Sequence, residues 1–335
     1  MSKLIIPDGY KPALDMRRTE VAIKKVKDFF ERDLAIALNL TRVSAPLFLH
    51  GGSGLNDTLS GVERAVSFDI PDVGCVAEIA QSLAKWKRYA LGEYGFSRGE
   101  GLYTDMNAIR RDEETDNMHS IYVDQWDWEY VITREDRNID TLKTAVRRIY
   151  RSLLHTEHYI AGEYDFVDTL LPEEIKFVTA QELEDEFPNL TPKQREYEIV
   201  KRHGAVFLMC IGGKQKSGNI HDGRAPDYDD WSLNGDIIVY YPVLDNAFEL
   251  SSMGIRVDEV SLRAQLAERG CTEREKLPFH HALLAGELPY TIGGGIGQSR
   301  MCMYFLRKAH IGEVQSSVWR EEDIMRCKKE GIVLL

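Results

Sequence analysis

The sequence predicts an α+β fold in which a mostly antiparallel sheet is flanked by helices. Strand-like runs are concentrated in the middle and late parts of the chain, at 205–211, 236–241 and 247–257. A short turn that contains Pro242 separates the last two runs, which favours their antiparallel pairing. Because strands and helices do not alternate regularly, a doubly wound parallel sheet is not expected.

Three amphipathic helices and one edge strand are predicted from periodicity and capping residues. The first helix runs from Thr19 to Leu38, and a second is marked by apolar residues in 142–153. A third begins in the segment 191–194, which has a capping threonine, a proline suited to the first turn and a glutamine that completes a capping box. It is expected to end at Gly204. The apolar run after the first helix contains Pro46, which predicts an edge strand.

Length and composition are those of a globular protein. The chain has 335 residues, of which 43% are hydrophobic and 29% charged, so it can bury a large core without disulfides or metals. No repeat or long linker divides it, and we expect one catalytic domain over 1–335 that includes an N-terminal extension at 1–17. Polar, glycine-bearing stretches at 92–101, 111–118 and 213–235 are expected to be loops within that domain.

Charge and cysteine content limit the partners that are expected. The 42 basic residues are outnumbered by 54 acidic ones, giving a net charge of −12, which disfavours extended contact with a nucleic-acid backbone. The five cysteines are scattered and form no CxxC pair, as in reduced intracellular proteins. No apolar run reaches 18 residues. We therefore expect a cytoplasmic protein with no membrane or nucleic-acid partner.

A glycine-rich segment near the C-terminus is a candidate nucleotide site. Residues 293–300 read Gly-Gly-Gly-Ile-Gly-Gln-Ser-Arg and precede an apolar run. Glycines allow a ligand to approach the backbone closely, and a following helix offers N–H groups to an anion. Arg300 strengthens this interpretation, because a guanidinium can stack on an adenine face. A tight strand-to-helix turn with no ligand is the alternative.

Acidic residues on the last predicted hairpin are candidate metal ligands. Glu249 and Ser251 share one face of a strand, and a bulge near Gly254 would turn Arg256 toward them. Asp236 begins the preceding strand, so a hairpin would bring two carboxylates to one Mg²⁺, which prefers oxygen ligands together with nucleotide phosphates. The alternative is a structural ion pair between Glu249 and Arg256.

Alternating residues in 121–129 suggest a second polar site. The pattern puts Gln125 and Asp127 on one strand face, opposite Trp126 and Trp128. Together the amide and the carboxylate can hold the α-ammonium group of an amino acid. A solvated polar face backed by tryptophan packing is the alternative.

Basic residues in two further stretches are candidate anion ligands. Residues 81–88 include Lys87 and are expected to open a helix, whose basic face can attract a carboxylate or simply be solvated. Arg110 follows a predicted strand and precedes an acidic run, a position that suits contact with an α-phosphate.

These stretches, in this order, resemble the catalytic domain of class II aminoacyl-tRNA synthetases. The helix ending near Leu38, followed by Pro46, resembles the first, dimer-forming motif of that class. The segment 110–129 resembles the second motif and 293–300 the third, with Arg300 at the adenine-stacking arginine. Helix and strand within about 19–49 are therefore expected at a dimer interface.

The resemblance is most specific to the A-type, ammonia-dependent asparagine synthetases. Gln81-Ser82 with Lys87 is similar to the aspartate-binding helix of aspartyl-type synthetases, and Gln125-x-Asp127 to their amino-acid-binding strand. The similarity to the A-type enzymes extends over nearly the whole chain, through the runs 82–88, 99–104, 123–129, 224–232, 234–237, 247–257 and 291–300.

This resemblance implies a homodimer that makes asparagine, AMP and diphosphate from L-aspartate, ammonia and MgATP. The intermediate it implies is β-aspartyl-AMP, and the residue that assists ammonia is Asp57, within the segment 56–61. Catalytic positions are then Asp57, Lys87 and Arg110; substrate-binding positions are Gln81, Ser82, Lys87, Gln125, Asp127, Asp229, Ser251, Ser252 and Arg256; ATP-binding positions are Arg110, Gly293, Gly294, Gly295, Gly297 and Arg300; and Mg²⁺ ligands are Asp236 and Glu249.

Two other functions are compatible with the same motifs. An aspartyl-tRNA synthetase relative would activate the α-carboxylate and charge an acceptor, but an anticodon-binding domain does not fit within 335 residues. An inactive amino-acid or nucleotide sensor would keep the fold and lose the chemistry. Such a sensor has no need of an ammonia-activating acid at Asp57.

Overall fold

The computed structural model describes residues 4–57, 59 and 63–335. Its helices and strands do not alternate regularly, and its five longest strands lie within 101–132 and 229–297. The α-helices are α1 (Met16–Leu38), α2 (Ala84–Glu93), α3 (Ile139–Glu163), α4 (Ala180–Glu186), α5 (Pro192–His203), α6 (Glu259–Arg269), α7 (Pro278–Leu284), α8 (Gln298–Phe305) and α9 (Glu321–Lys329). The strands are β1 (Leu40–Arg42), β2 (Phe48–His50), β3 (Ser67–Ile70), β4 (Cys75–Ile79), β5 (Gly101–Ile109), β6 (Tyr122–Ile132), β7 (Lys176–Thr179), β8 (Ala205–Met209), β9 (Asp229–Tyr241), β10 (Asn246–Arg256) and β11 (Tyr290–Gly297).

Eight of these strands form one large sheet, in the order β1-β5-β6-β11-β10-β9-β8-β7. The edge pairs β1–β5 and β7–β8 are parallel, and the five pairs between them are antiparallel. A smaller antiparallel sheet has the order β2-β4-β3. The prediction of a mostly antiparallel sheet flanked by helices is confirmed.

Apolar side chains of α1, α3 and α8 cover one face of the large sheet. Trp126 and Trp128 of β6 are fully buried there, and the ring of Trp126 lies 4.9 Å from that of Phe30 on α1. The alternation predicted for β6 therefore holds, and it leaves Gln125 and Asp127 on the opposite face. That second face carries the polar groups of the candidate site.

The predicted helix ends are close to those observed. Helix α1 begins at Met16, three residues before Thr19, because Asp15 caps it by accepting from the backbone N–H of Arg18. Helix α5 has the predicted capping box at Thr191 and ends at Gly204, whose φ is +76°. None of the described helices is long and apolar enough to cross a membrane.

Two strand predictions need correction or refinement. Strand β9 begins at Asp229, seven residues before the predicted Asp236, because Asp229 and Asn234 in its polar first half are already paired with Arg256 and Gly254 of β10. The run that contains Pro46 is not one strand: β2 begins two residues after the proline and forms an edge of the small sheet. The predicted bulge in β10 is present between Gly254 and Arg256, and another lies between Glu249 and Ser251.

Candidate active site

A polar cavity of about 480 Å³ opens on the face of the large sheet opposite Trp126. Strands β6, β11 and β10 lie side by side beneath it, with Gly297 opposite Gln125 and Gly295 opposite Ser252. The sequence-predicted site residues that line the cavity are Arg110, Gln125, Glu249, Ser251, Ser252, Gly295, Gly297 and Arg300.

Two arginines project into this cavity from different elements. Arg110 follows β5, where its backbone N–H donates to the carbonyl of Ile121, and its buried Nε has no hydrogen-bond partner among the described residues. Arg300 lies in the first turn of α8 and donates from Nη1 to the backbone carbonyl of Glu249, at 3.0 Å. The Arg300 guanidinium is therefore held by the backbone of β10, and both guanidinium groups remain able to contact an anion or a flat ring.

The glycines of 293–297 lie in strand β11 rather than in a loop. A Cβ on Gly294 would lie 2.5 Å from Met253, and one on Gly295 would lie 2.3 Å from the amide of Gln125. Close packing between neighbouring strands thus requires glycine at these positions. Gly293 and Gly294 do not line the cavity, whereas Gly295 and Gly297 do.

A buried ion-pair network of residues from β6, β9 and β10 lies beside the cavity and does not line it. Arg256 forms ion pairs with Asp229 and, at 3.1 Å, with Glu129, and all three side chains are almost fully buried. The alternative pairing of Glu249 with Arg256 is wrong, because Glu249 instead faces Arg300 at 3.8 Å. Burial raises the pKa of Asp229 despite the adjacent Arg256.

Lys87 belongs to the same buried network, with its ammonium group 3.9 Å from Glu129, and is fully buried. Its ammonium group donates to the Asp127 carboxylate, to the Trp128 carbonyl at 2.9 Å and to the Gly294 carbonyl at 3.2 Å. These three bonds use all three of its donors. Lys87 therefore holds Asp127 in place, and its contact with a substrate carboxylate stays a prediction. Asp127 Oδ2 is buried and has no hydrogen-bond partner among the described residues.

The segment that carries Asp57 is held against the start of α2. Asp57 is 2% exposed, and its Oδ1 accepts from the backbone N–H of Leu59. The side-chain amide of Gln81 donates to the Asp57 carbonyl at 3.0 Å, and Ser82 Oγ accepts from the N–H of Ala84. Gln81 and Ser82 thus organise the backbone here. Thr58, Ser60 and Gly61 of the predicted segment lie outside the described residues.

Two residues that line the cavity, Tyr228 and Leu59, interact with Asp57. This tyrosine lines the cavity, and its pKa is raised well above the ordinary value, first by burial and then by the negative charges of Asp57 and Asp229. Leu59, whose backbone N–H donates to Asp57 at 3.0 Å, also lines the cavity, whereas the Asp57 side chain itself is not part of the lining.

The two predicted metal ligands lie on neighbouring strands. Asp236 Oδ1 is buried without a hydrogen-bond partner among the described residues, while its other oxygen pairs with Arg224. Burial raises the pKa of Asp236 against the charge of Arg224. Burial also disfavours ionised Glu249, but Arg300 and Arg224 outweigh it and lower the pKa of Glu249.

Asp236 and Glu249 can supply part of the ligand set of a Mg²⁺ site. Among the described residues no three acidic, histidine or cysteine side chains form a metal cluster. Mg²⁺ is commonly held by one or two carboxylates together with substrate phosphates, so Asp236 and Glu249 fit an ion that arrives with a nucleotide. The unpaired Oδ1 of Asp236 is the observation that supports this fit.

Several cavity residues had no role predicted from the sequence. Arg224 and Tyr228 lie in a run that carried the resemblance, but nothing local indicated that they would reach the cavity. His119 also lines it, and its Nδ1–H donates to the Asp116 carboxylate at 2.9 Å. The spacing of Asp116 and His119 is the one signal that would have suggested an oriented histidine.

Fold and site together define the class of the protein: it is a class II aminoacyl-tRNA synthetase-like catalytic domain. The model matches an asparaginyl-tRNA synthetase of Entamoeba histolytica, solved in complex with asparaginyl-adenylate, with a TM-score of 0.63 and 13% sequence identity. The match covers 90% of this chain and 66% of the synthetase chain, so this chain spans just under two thirds of its length.

Within that class, the chain belongs to the aspartate–ammonia ligase family. The family model matches residues 17–331. An aspartate–ammonia ligase of Clostridium perfringens is 62% identical over 100% of both chains, and one of Ruminiclostridium cellulolyticum is 62% identical with the same coverage. The family resemblance inferred from the sequence is confirmed, and the chain is an enzyme of this ligase family.

Proposed function

We propose that this enzyme converts L-aspartate, ATP and ammonia into L-asparagine, AMP and diphosphate. A β-carboxylate oxygen of aspartate attacks the α-phosphorus, and the bond to the diphosphate leaving group breaks. Ammonia then attacks the β-acyl carbon of β-aspartyl-AMP, AMP leaves, and one proton is released. The observation that carries this proposal is a single cavity that combines Arg110, Gln125 and Arg300 in a chain of the ligase family.

The nucleotide is proposed to bind between Arg300 and Arg110. Arg300 presents a planar guanidinium that can stack on adenine, and Arg110 contacts the α-phosphate, where negative charge grows during the transfer. Gly295 and Gly297 line the cavity and leave room for the side chains that contact the ligand, because a Cβ on Gly295 would lie 2.3 Å from the Gln125 amide and one on Gly297 would lie 3.2 Å from Arg300. Gly293 and Gly294 contribute through strand packing.

Aspartate is proposed to bind over β6 and β10. Gln125 and the unpaired Oδ2 of Asp127 accept hydrogen bonds from its α-ammonium group. Ser251 and Ser252 line the neighbouring wall. Five residues are proposed as positioning residues, because they hold Asp127, Glu129 or the Asp57 segment rather than line the cavity: the buried Gln81, Lys87, Asp229 and Arg256 and the partly buried Ser82.

Mg²⁺ is proposed to be held by Asp236 and Glu249 together with the phosphates of ATP. When bound, it would neutralise charge on the leaving diphosphate. Asp236 shares its second oxygen with Arg224, so this arginine also places positive charge at the phosphate end of the cavity. Asp57 is proposed to attract ammonium and to accept its proton, because only neutral ammonia is nucleophilic.

The reaction is tested by incubating the protein with aspartate, MgATP and ammonium and measuring asparagine, AMP and diphosphate. We expect the three products in equal amounts. Diphosphate without asparagine, together with charging of tRNA, would instead indicate the aspartyl-tRNA synthetase-like alternative. Absence of turnover would indicate a sensor.

Replacing Arg110 by alanine is expected to slow adenylation by about a hundredfold, because removing a group that stabilises transition-state charge commonly costs that much. The matched control is Arg111→Ala, since Arg111 is adjacent in sequence but exposed. Aspartate-dependent exchange of diphosphate into ATP measures this step directly. Equal rates in the two variants would exclude Arg110 from the phosphate site.

We also propose that the chain is one cytoplasmic catalytic domain that forms homodimers without nucleic acid. The main apolar core joins α1, α3, β9 and α8, which supports one domain. In the segment 19–49, Ile36, Leu47 and Phe48 expose large apolar side chains, which supports an interface there. Light scattering coupled to size-exclusion chromatography should give twice the chain mass, and Ile36→Lys is expected to shift that mass toward the monomer.

A further inference from the structure

A polar cluster at one side of the cavity is not used by the mechanism described above. It consists of Gln315, Ser299 and Asp124, all of which line the cavity together with Arg300. Gln315 follows the turn at Ile311–Glu313, Ser299 lies in the first turn of α8, and Asp124 is near the start of β6. The cluster thus joins three elements that are far apart in sequence.

Hydrogen bonds determine which way the Gln315 amide faces. Its Nε2 donates to Asp124 Oδ1 at 3.2 Å and to Ser299 Oγ at 2.9 Å. The same Asp124 oxygen accepts from the backbone N–H of Ser299, and its other oxygen pairs with Lys27 at 3.0 Å. Because an ionised carboxylate only accepts, the amide nitrogen must face Asp124, and Oε1 must point the other way.

The Gln315 Oε1 atom is an unused acceptor. Gln315 is 5% exposed, and Oε1 is buried with no hydrogen-bond partner in the part of the chain that the structure describes. A buried acceptor without a donor is unfavourable, so a ligand that supplies an N–H or O–H here gains binding energy that a ligand without one does not.

The position of the cluster beside Arg300 indicates which part of the ligand it meets. Ser299 immediately precedes Arg300, the residue proposed above to stack on adenine. Adenine carries an amino donor where guanine carries a carbonyl acceptor. Resting on the proposed use of ATP, we infer that Gln315 selects adenine by accepting a hydrogen bond from its exocyclic amino group.

The test compares ATP with purine riboside triphosphate, which lacks that amino group. Asparagine formation is measured with each nucleotide for the parent enzyme, Gln315→Leu and Gln315→Met. Gln215→Leu is the matched control: Gln215 also has a buried amide oxygen without a described partner and donates through Nε2, to the Ala180 carbonyl at 2.6 Å, but it does not line this cavity.

The parent and Gln215→Leu should prefer ATP by about tenfold in kcat/KM, the size of one neutral hydrogen bond. Both Gln315 variants should lose most of that preference while their KM for aspartate changes less than about twofold. An equal preference in the parent and the Gln315 variants would overturn the inference. So would a parent that does not distinguish the two nucleotides, or Gln315 variants that instead lose discrimination against 2′- or 3′-deoxy-ATP, which would assign Oε1 to a ribose hydroxyl.

Failure of this inference is distinguishable from failure of the proposed function. If the parent makes no asparagine from ATP, aspartate and ammonium, the proposed reaction is wrong. If it makes asparagine but the preference does not depend on Gln315, only the adenine inference fails. The parent measurement needs no variant to fold, and thermal unfolding of each variant checks that the comparison is between folded proteins.

Discussion

Asp57→Asn is expected to reduce asparagine formation by about a hundredfold or more while leaving aspartate adenylation within about threefold of the parent. The proposed base for ammonium is removed, and general-base contributions are commonly of this size. Asparagine keeps an oxygen that can accept from the Leu59 N–H, so the local backbone is preserved. The exchange of diphosphate into ATP reports adenylation, and amino-acid analysis reports the ammonia step.

The pH dependence provides a control for this variant. Raising the pH increases the fraction of neutral ammonia in solution, so the deficit of Asp57→Asn relative to the parent should shrink as the pH rises. Asp57→Ala, which also loses the bond from Leu59, should show the same pH trend. Asparagine formation at the parent rate in Asp57→Asn at neutral pH would exclude Asp57 as the base.

Lys87→Met is expected to be the most destabilising single change in the site. It leaves the buried carboxylate of Asp127 without its cation, whereas Glu129 keeps Arg256, and removing one partner of a buried pair costs about 3–5 kcal/mol. We also expect the KM for aspartate to rise at least tenfold, because Asp127 is no longer held in place. Urea unfolding measures the free energy of unfolding, and initial rates at varied aspartate concentration measure the KM.

Lys85→Met is the matched control for that experiment. Lys85 lies on the same helix, is 4% exposed and pairs with the buried Asp227 at 3.2 Å. Asp227 keeps two other partners, His280 and Arg274, so the expected loss is smaller, about 1–3 kcal/mol. The KM for aspartate should stay near that of the parent. A normal KM in folded Lys87→Met would show that Asp127 is held without the lysine.

Local sequence patterns predicted α1, α3 and α5, the type of sheet and the faces of β6. The capping box at Thr191 and the end at Gly204 depend only on residues within one or two turns, so they are visible in the sequence. The alternation of Trp126 and Trp128 with Gln125 and Asp127 likewise needs only the period of a strand. The start of β9 at Asp229 was missed, because polar residues enter a strand there for tertiary reasons.

Only the tertiary structure decided which charged groups are partners. Arg256 pairs with Glu129, 127 residues earlier, and Lys87 bonds to Gly294, 207 residues later. Such contacts exist because β6, β11 and β10 are neighbours in the sheet, and no local period encodes that order. The sequence and its resemblance indicated the chemical groups of the site. The sheet order decided which of these groups face the cavity and which are buried beside it. A buried charged group needs a partner, and here only the neighbouring strands and helices provide one.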